Sequence, residues 1–259
     1  MMSPSESTQK PGTQWRPLLV VFLYGAAIMS IAPAGGNVDS SNDETRRSSG
    51  PGGASLAKLV TQQRKEKELV GLAAMVVVDG QVVASAAHGE RKIGSGVAIE
   101  LGDRWHLGSV TKSITATMIA RLVEQDKMQW SDTVGECFTE ASVHEDWKPV
   151  TLHQLLTHTA GAPANFSSQV GRKQPALGDE CTQARLKAVL DVIAEKPIYP
   201  PGTQHAYSNV GYTIAGAMAE KATGVSWADL VKREVFEPLE LSGAGFGPPK
   251  SPDETLDQP

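Results

Sequence analysis

A short part of the chain carries two apolar runs close together, and we predict that it forms sheet. Two apolar runs, residues 72–78 and 81–87, flank the pair Asp79-Gly80. Asp-Gly between two such runs is a strong hairpin signal, because both residues tolerate the positive φ of a tight turn. An isolated hairpin is marginal in water. We therefore expect either that sequence absent from this chain completes the sheet, or that the strands pack on helices alone.

Elsewhere the apolar positions recur with helical spacing. The predicted helices are residues 55–68, 109–125, 152–158, 182–195, 209–223 and 226–236. The second of them carries Val110, Ile114, Met118 and Leu122 on one stripe, which Ile119 broadens. A helix that is apolar over most of its circumference belongs in the interior.

Capping residues support several of these helix boundaries. Thr151 and Gln154 form a capping-box pattern at the start of helix 152–158. Gly224 follows helix 209–223, and Pro238 follows the last predicted helix. Both are residues that end helices.

The beginning of the chain predicts an export leader over residues 1–34. Lys10 and Arg16 supply positive charge, an uncharged apolar stretch follows at 17–32, and an A-x-A cleavage pattern ends at Ala34. About 16 apolar residues fall short of the roughly 20 that span a bilayer. We therefore expect cleavage, no stable membrane span afterwards, and a periplasmic or extracellular location.

Composition then divides the rest of the chain. Residues 35–54 are rich in Gly, Ser, Asn and charge and predict a flexible linker, because they bury too little apolar surface to fold alone. Residues 55–259 form the predicted folded domain. With 259 residues in all, 40% of them hydrophobic, the chain is long enough to bury a substantial core. Its net charge of -5 includes no basic run interleaved with aromatics, so a nucleic acid partner is not expected.

The two cysteines, Cys137 and Cys181, leave two alternatives open. In an oxidising compartment they could form a disulfide, and otherwise they would be buried thiols. Neither belongs to a C-x-x-C, and none of the six histidines lies in an H-E-x-x-H. The sequence therefore predicts neither a metal site nor a cofactor.

An S-x-x-K pattern is the first sign of chemistry, and it occurs at Ser7, Ser55 and Ser109. Residues three apart on a helix are neighbours, so an amine there could take the hydroxyl proton. Ser7 lies in the predicted leader, and Ser55 resembles the N-cap of a surface helix. Ser109 opens the most apolar helix and places Lys112 in an apolar setting, where a structural lysine would be costly. We predict Ser109 as nucleophile and Lys112 as its activating amine.

A second sign is the tripeptide Tyr207-Ser208-Asn209, which follows the turn pair Pro201-Gly202 and precedes a helix. A loop in that place could project side chains into a cleft. Tyr207 could relay a proton and Asn209 could bind a substrate carbonyl. Alternatively, Asn209 caps the helix and Tyr207 is an aromatic residue at the edge of the core.

Four strings in this order resemble one family, the β-lactamase-related serine hydrolases. They are WHLGSVTKS at 105–113, LLTHTAG at 155–161, PPG at 200–202 and YSNVGY at 207–212. This family includes class C β-lactamases, D-alanyl-D-alanine carboxypeptidases and β-lactamase-like esterases. The resemblance covers residues 55–247.

The resemblance implies an α/β (α+β) two-lobed β-lactamase/transpeptidase-like fold, in which an antiparallel sheet with flanking helices accompanies a helical lobe. It also implies a reaction through an acyl-enzyme on Ser109, with Lys112 and Tyr207 sharing the acid and base duties and Asn209 binding substrate. The implied substrates are a β-lactam, a D-Ala-D-Ala peptide or an ester. Which of Lys112 and Tyr207 is the base stays open, because their titrations would be coupled.

One family motif has no counterpart in this chain. On an edge strand the family carries Lys or His, one further residue and then Gly, and the adjoining backbone N–H completes the oxyanion hole. No such triplet follows Asn209; the string from Lys221 to Gly224 is one residue too long. We expect the C-terminal strands to be missing and the activity of the chain to be impaired, since one lost donor costs about 10²–10³-fold in rate.

Two other functions are consistent with the sequence. One is a non-catalytic remnant or sensor that binds penicillin or cell-wall peptide without turnover. The other is a Ser-His-Asp hydrolase, which is disfavoured because no G-x-S-x-G occurs. His106 and His158 flank the motifs, and we interpret both as structural.

Overall fold

The computed structural model of the protein describes residues 19–24, 48–167 and 178–247. They belong to two compact units, the first extending to His106 and the second beginning at Leu107. β1 (Leu19–Tyr24) lies within the predicted leader. The leader, the linker and the predicted domain boundaries remain predictions.

The first unit contains a four-stranded antiparallel sheet. Its other strands are β2 (Ser48–Ser49), β3 (Gly71–Val78) and β4 (Gln81–Gly89), in the order β1-β3-β4-β2. Val78 pairs with Gln81, and both Asp79 and Gly80 have positive φ, 49° and 75°. The predicted hairpin is therefore confirmed, with one more residue in the first strand and two more in the second.

A single long helix covers one face of this sheet. α1 (Gly53–Glu66) buries Val60 against Leu72, Ala74 and Ala86 of the hairpin. The hairpin thus packs on a helix and also gains flanking strands.

The expected start of that helix at Ser55 was wrong by two residues. Gly52 is the N-cap, and its N–H donates to Val83 O (3.3 Å), so contact with β4 turns the chain into the helix early. Ser55 therefore lies within α1, and its interpretation as the N-cap was wrong. Ser55 and Lys58 are both exposed, as expected for a surface helix.

The second unit is built from helices. They are α2 (Thr111–Glu124), α3 (Val134–Cys137), α4 (Leu152–Leu156), α5 (Asp179–Ile193), α6 (Asn209–Thr223) and α7 (Trp227–Val231). A 3₁₀ turn, Gly108–Val110, precedes α2, and a π-helical turn, Lys232–Phe236, follows α7. The capping box of Thr151 and Gln154 is present, and Gly224 ends α6 with φ 69°.

The core of this unit surrounds α2 and α6. Met118, Ile119 and Leu122 are fully buried, as the apolar stripe predicted. Val110 is an exception, because 44% of it is exposed. It lies in the 3₁₀ turn, where successive residues are about 120° apart instead of about 100°. The predicted stripe therefore begins only after that turn.

A buried ion pair joins three helices of the second unit. The guanidinium of Arg185 on α5 donates to the carboxylate of Glu220 on α6. Glu220 also accepts the backbone N–H of Trp227, the first residue of α7, at 2.7 Å. The three helices are thus held through one carboxylate.

Both cysteines carry free thiols, so the disulfide alternative is not formed in this structure. Cys137 packs against the core, and burial raises the pKa of its thiol to about 11. The Cys181 sulfur accepts a hydrogen bond from Arg185 at 3.5 Å. Among the described residues, no helix combines the length and apolar character needed to cross a membrane.

Candidate active site

The predicted nucleophile lies immediately before α2. Ser109 is the middle residue of the 3₁₀ turn and is exposed, and Gly108 before it has φ 51°. Lys112 follows on the first turn of α2, and its Nζ lies 3.3 Å from Ser109 Oγ. The S-x-x-K spacing therefore brings the amine to the hydroxyl.

The second predicted group reaches the same hydroxyl from the start of α6. Tyr207 donates its phenolic proton to Ser109 Oγ at 2.7 Å. Tyr207 is 47% exposed, so the alternative that it is an aromatic residue at the edge of the core was wrong. Ser109 Oγ lies between the phenol and the amine.

Ser208 explains why Tyr207 is directed toward the site. Its backbone is extended, with φ -140° and ψ 124°, so the side chains on either side of it point away from its own. Ser208 Oγ is buried, accepts the N–H of Gly211 at 2.9 Å and donates to Pro163 O at 2.6 Å. The cap of α6 is therefore Ser208, and the alternative that Asn209 caps the helix was wrong.

Asn209 instead connects Lys112 to a residue that the sequence did not indicate. Its Oδ1 accepts from Lys112 Nζ at 2.5 Å, and its Nδ2 donates to Asn165 Oδ1 at 2.6 Å. Asn165 lies in the loop after α4, where a lone asparagine carries no sequence signal. The amide NH2 of Asn209 has two N–H donors, so its bond to Asn165 leaves one N–H for a substrate carbonyl.

The setting of Lys112 is polar and aromatic instead of apolar, and the expectation on this point was wrong. Besides its two oxygen partners, its Nζ lies 4.7 Å from the ring centroid of Tyr207 and 5.7 Å from that of Tyr212. Aromatic faces attract a cation. The ammonium is held by oxygens and rings and is half-buried, which explains how its charge is accommodated.

The pKa values of the two tyrosines of the site are shifted in opposite directions. Hydrogen bonding to Lys112 and then to Ser109 holds the pKa of the Tyr207 phenol below its ordinary value. Burial, with a smaller contribution from Tyr207, raises the pKa of Tyr212, whose OH donates to Leu156 O at 3.0 Å. Tyr207 is therefore the phenol suited to exchange a proton with Ser109.

The string from Lys221 to Gly224 lies far from this group. It ends α6, a helix of 15 residues that begins at Asn209, which places it about 20 Å away along the axis. Lys221 Nζ lies over the ring of Phe138 at 5.6 Å. This string is not a substitute for the missing edge-strand motif. Within the described ranges, no group of three or more His, Cys, Asp or Glu side chains is placed to hold a metal ion.

An antiparallel sheet covered by a helix, a separate helical unit, and a serine held between an amine and a phenol together define the class of β-lactamase-like and penicillin-binding folds. Comparison with known proteins names the family. The Beta-lactamase family model matches residues 56–258, and the chain belongs to that family.

Two curated relatives of this chain have names that indicate different activities. Penicillin-binding protein 4 of Amycolatopsis lactamdurans is 33% identical over 180 residues, which cover 69% of this chain and 45% of the relative. Esterase EstB of Burkholderia gladioli is 29% identical over 201 residues, which cover 74% of this chain and 51% of the relative. The chain thus spans about half the length of these relatives.

A solved structure agrees with the fold. The octameric penicillin-binding protein homologue from Pyrococcus abyssi superposes with a TM-score of 0.61 at 27% identity, over 73% of this chain and 43% of that one. The predicted fold class and family are both confirmed.

Proposed function

We propose that this protein is a serine hydrolase that forms an acyl-enzyme on an amide, lactam or ester carbonyl. The observation that carries the proposal is the position of Ser109 Oγ, 2.7 Å from the Tyr207 phenol and 3.3 Å from the Lys112 amine. A hydroxyl is a weak nucleophile until a neighbouring base accepts its proton. Two groups within reach have that capacity.

In the first step, the oxygen of Ser109 attacks the carbonyl carbon while its proton passes to Tyr207 or Lys112. The group that accepts must be in its basic form. The lowered pKa of Tyr207 increases the phenolate fraction at a given pH. Because both groups contact the same hydroxyl, either of them can accept the proton, and we assign the role to the two together.

In the second step, the accepted proton is returned to the leaving nitrogen or oxygen as its bond to the carbonyl breaks. Water then attacks the acyl-serine, and the same pair takes and returns its proton. The oxyanion of each tetrahedral intermediate needs backbone donors. We assign one of them to the N–H of Ser109, because the N–H groups of Val110 and Thr111 already donate to carbonyls of the turn.

The proposed substrates follow the chemistry of the carbonyl. The names of the relatives support a β-lactam or an ester, and that of the D-alanyl-D-alanine-carboxypeptidase/endopeptidase AmpH of Escherichia coli, which is 25% identical over 190 residues, supports a D-Ala-D-Ala peptide. The predicted leader supports export to the periplasm or the extracellular space, where cell-wall peptide and β-lactams are met.

The test uses the full chain with a fluorescent penicillin and with p-nitrophenyl acetate. Covalent label on Ser109, located by peptide mass, is expected in the wild type and absent in Ser109→Ala. Ser55→Ala is the matched control, since Ser55 belongs to the exposed S-x-x-K of α1. Label or ester turnover that persists in Ser109→Ala would refute the proposal.

A second proposal is a protein that binds penicillin or cell-wall peptide without turning it over. It is supported by the position of Lys112 Nζ, which lies 2.5 Å from Asn209 Oδ1 and 3.3 Å from Ser109 Oγ. An amine bound more closely by the amide than by the serine would assist the water of the second step less. A Ser109-dependent label that stays bound for hours, with no release of product, would favour this binding function. Release within minutes would favour the hydrolase.

A further inference from the structure

We propose that His158 is a positioning residue that holds Tyr207 against Ser109, and that protonation of its imidazole releases this hold at acidic pH. The inference rests on the proposed role of Tyr207. It concerns the backbone that carries the phenol, which neither the sequence motifs nor the relatives address.

His158 bonds to both chain neighbours of Tyr207. Its carbonyl oxygen accepts the N–H of Ala206 at 2.8 Å, and its ring Nδ1 accepts the N–H of Ser208 at 3.1 Å. The two bonds come from one residue and lie on either side of the catalytic candidate. Displacement of the Tyr207 backbone away from Ser109 would have to break at least one of them.

The ring of His158 also supports the phenol by contact. Its centroid lies 4.7 Å from that of Tyr207 and 5.2 Å from that of Tyr212. The backbone of His158 has φ 60°, a conformation unfavourable to most side chains. That conformation, just after α4, directs both the carbonyl and the ring toward the same loop.

Only the neutral imidazole can form this arrangement. Because Nδ1 accepts from Ser208, the ring proton must be on Nε2. A second proton would place an N–H on Nδ1, facing the N–H of Ser208. Hydrogen bonding to that backbone would then be replaced by repulsion between two donors.

The surroundings of His158 keep it neutral near neutral pH. Burial first, then the charges of His205 and Lys112, lower its pKa below the usual value. The groups that face its ring are His205, Tyr207 and Tyr212 from the α6 side and Lys112 from α2. The neutral state therefore persists through the pH range where an ordinary histidine is protonated, and it is lost only as the pH falls through the lowered pKa of this residue.

Two substitutions separate positioning from mere packing. His158→Asn retains an acceptor close to the position of Nδ1 and tolerates positive φ. His158→Phe retains an aromatic ring and removes the acceptor. His153→Asn is the matched control, because His153 lies exposed on α4 five positions earlier.

The kinetic experiment measures acylation of the full chain by p-nitrophenyl acetate and by a fluorescent penicillin between pH 5 and pH 9. We expect His158→Phe to lower the acylation rate by between about 10-fold and 10²-fold with little change in KM, since misplacement of a catalytic group acts on the chemical step. His158→Asn should recover most of the rate, and His153→Asn should match the wild type. Protonation of the accepting base lowers the rate of every variant at acidic pH, so the informative quantity is the ratio of the His158→Asn rate to the wild-type rate, which should rise as the pH falls. Equal losses in the two His158 variants, or a ratio that stays constant between pH 5 and pH 9, would overturn the proposal.

A second measurement does not depend on activity. In ¹⁵N-histidine NMR at pH 7.5, His158 should show an unprotonated Nδ1 and a protonated Nε2, and the Ser208 amide should shift when His158→Phe is introduced. If Ser109→Ala retains label while these spectra are as expected, the proposed function has failed and the hold on the loop has not. A protonated Nδ1, or an unmoved Ser208 amide, would refute the hold itself.

Discussion

The phenol of Tyr207 lies 2.7 Å from the hydroxyl of Ser109, although 98 positions separate the two residues in the chain. Tyr207 comes from the loop before α6, and Ser109 from the turn before α2. Folding of the helical unit alone brings them together, since both belong to it. The hydrogen bond between Tyr207 and Ser109 therefore depends on the residues of this unit that position the phenol and the hydroxyl.

Removal of the Tyr207 hydroxyl should impair acylation. Tyr207→Phe preserves the ring beside His158 and Lys112 and removes the group that exchanges a proton with Ser109. We expect acylation by p-nitrophenyl acetate to fall by about 10²–10⁴-fold, the range for loss of a general acid or base. Tyr212→Phe is the control, because its hydroxyl donates to Leu156 O and not to Ser109; a similar loss in both variants would argue against a special role for Tyr207.

Removal of the Lys112 charge should raise the pKa of Tyr207. Lys112 is the largest cause of the lowered pKa, so in Lys112→Met the phenolate should form at higher pH. The Tyr207 transition is obtained from phenolate absorbance as the difference between each protein and its Tyr207→Phe counterpart. Lys187→Met, on the exposed surface of α5, should leave it unchanged. A transition that moves to lower pH would contradict the assignment.

Loss of Asn165 should weaken the arrangement around Lys112. Asn165→Leu removes the acceptor for Asn209 Nδ2, and we expect the activation free energy of acylation to rise by about 0.5 to 1.5 kcal/mol. Asn165→Asp retains an acceptor at that position and should lose less. If both variants acylate at the wild-type rate, Asn165 has no part in holding Asn209.

Loss of the Glu220 carboxylate should destabilise the helical unit. Glu220→Ala leaves Arg185 without its buried partner and the Trp227 N–H without its acceptor, for an expected loss of about 3 to 5 kcal/mol in the free energy of unfolding. Glu220→Gln retains an acceptor and should cost less. Urea unfolding measures both, with Asp191→Asn as control, since the exposed pair of Asp191 with Lys187 contributes about 1 kcal/mol or less.

A side chain at Gly161 should be poorly tolerated. Gly161 has φ 74°, and a Cβ there would lie 2.3 Å from Tyr199 O, which is backbone and cannot yield alone. We expect Gly161→Ala to lower the free energy of unfolding by more than about 1 to 3 kcal/mol, the cost of the strained φ alone. Gly224→Ala has φ 69° and no atom within 4 Å of its Cβ, so it should show only the conformational cost. Equal melting temperatures of the two variants would contradict the steric argument.

Local sequence patterns predicted those features of the fold that are determined by residues close together in the chain. The Asp79-Gly80 turn and the capping box of Thr151 depend on neighbouring residues, and both are present. Val110 was misplaced because the periodicity of an α-helix was extended into a 3₁₀ turn. The start of α1 was misplaced because a contact with β4, distant in sequence, decides it.

The residues of the site were likewise predictable where helical spacing or a known motif indicated them. The approach of Lys112 to Ser109 follows from helical spacing, and Tyr207 was indicated by its resemblance to a known motif. Asn165 was missed, because it belongs to the site only through a contact with Asn209, 44 positions away. The contact of His158 with the Ser208 backbone is likewise formed only by folding.

The extended backbone at Ser208 sets the direction of the neighbouring side chains, and it also fixes the number of residues between Tyr207 and α6. With its own hydroxyl committed to the interior, one residue on each side is directed toward Lys112. An inserted or deleted residue there would exchange the inward and outward positions and remove either the phenol or the amide from the serine. A substitution in this tripeptide therefore alters one contact at a time, whereas a change in the number of residues between Tyr207 and the first turn of α6 would displace the phenol, the cap and the amide together.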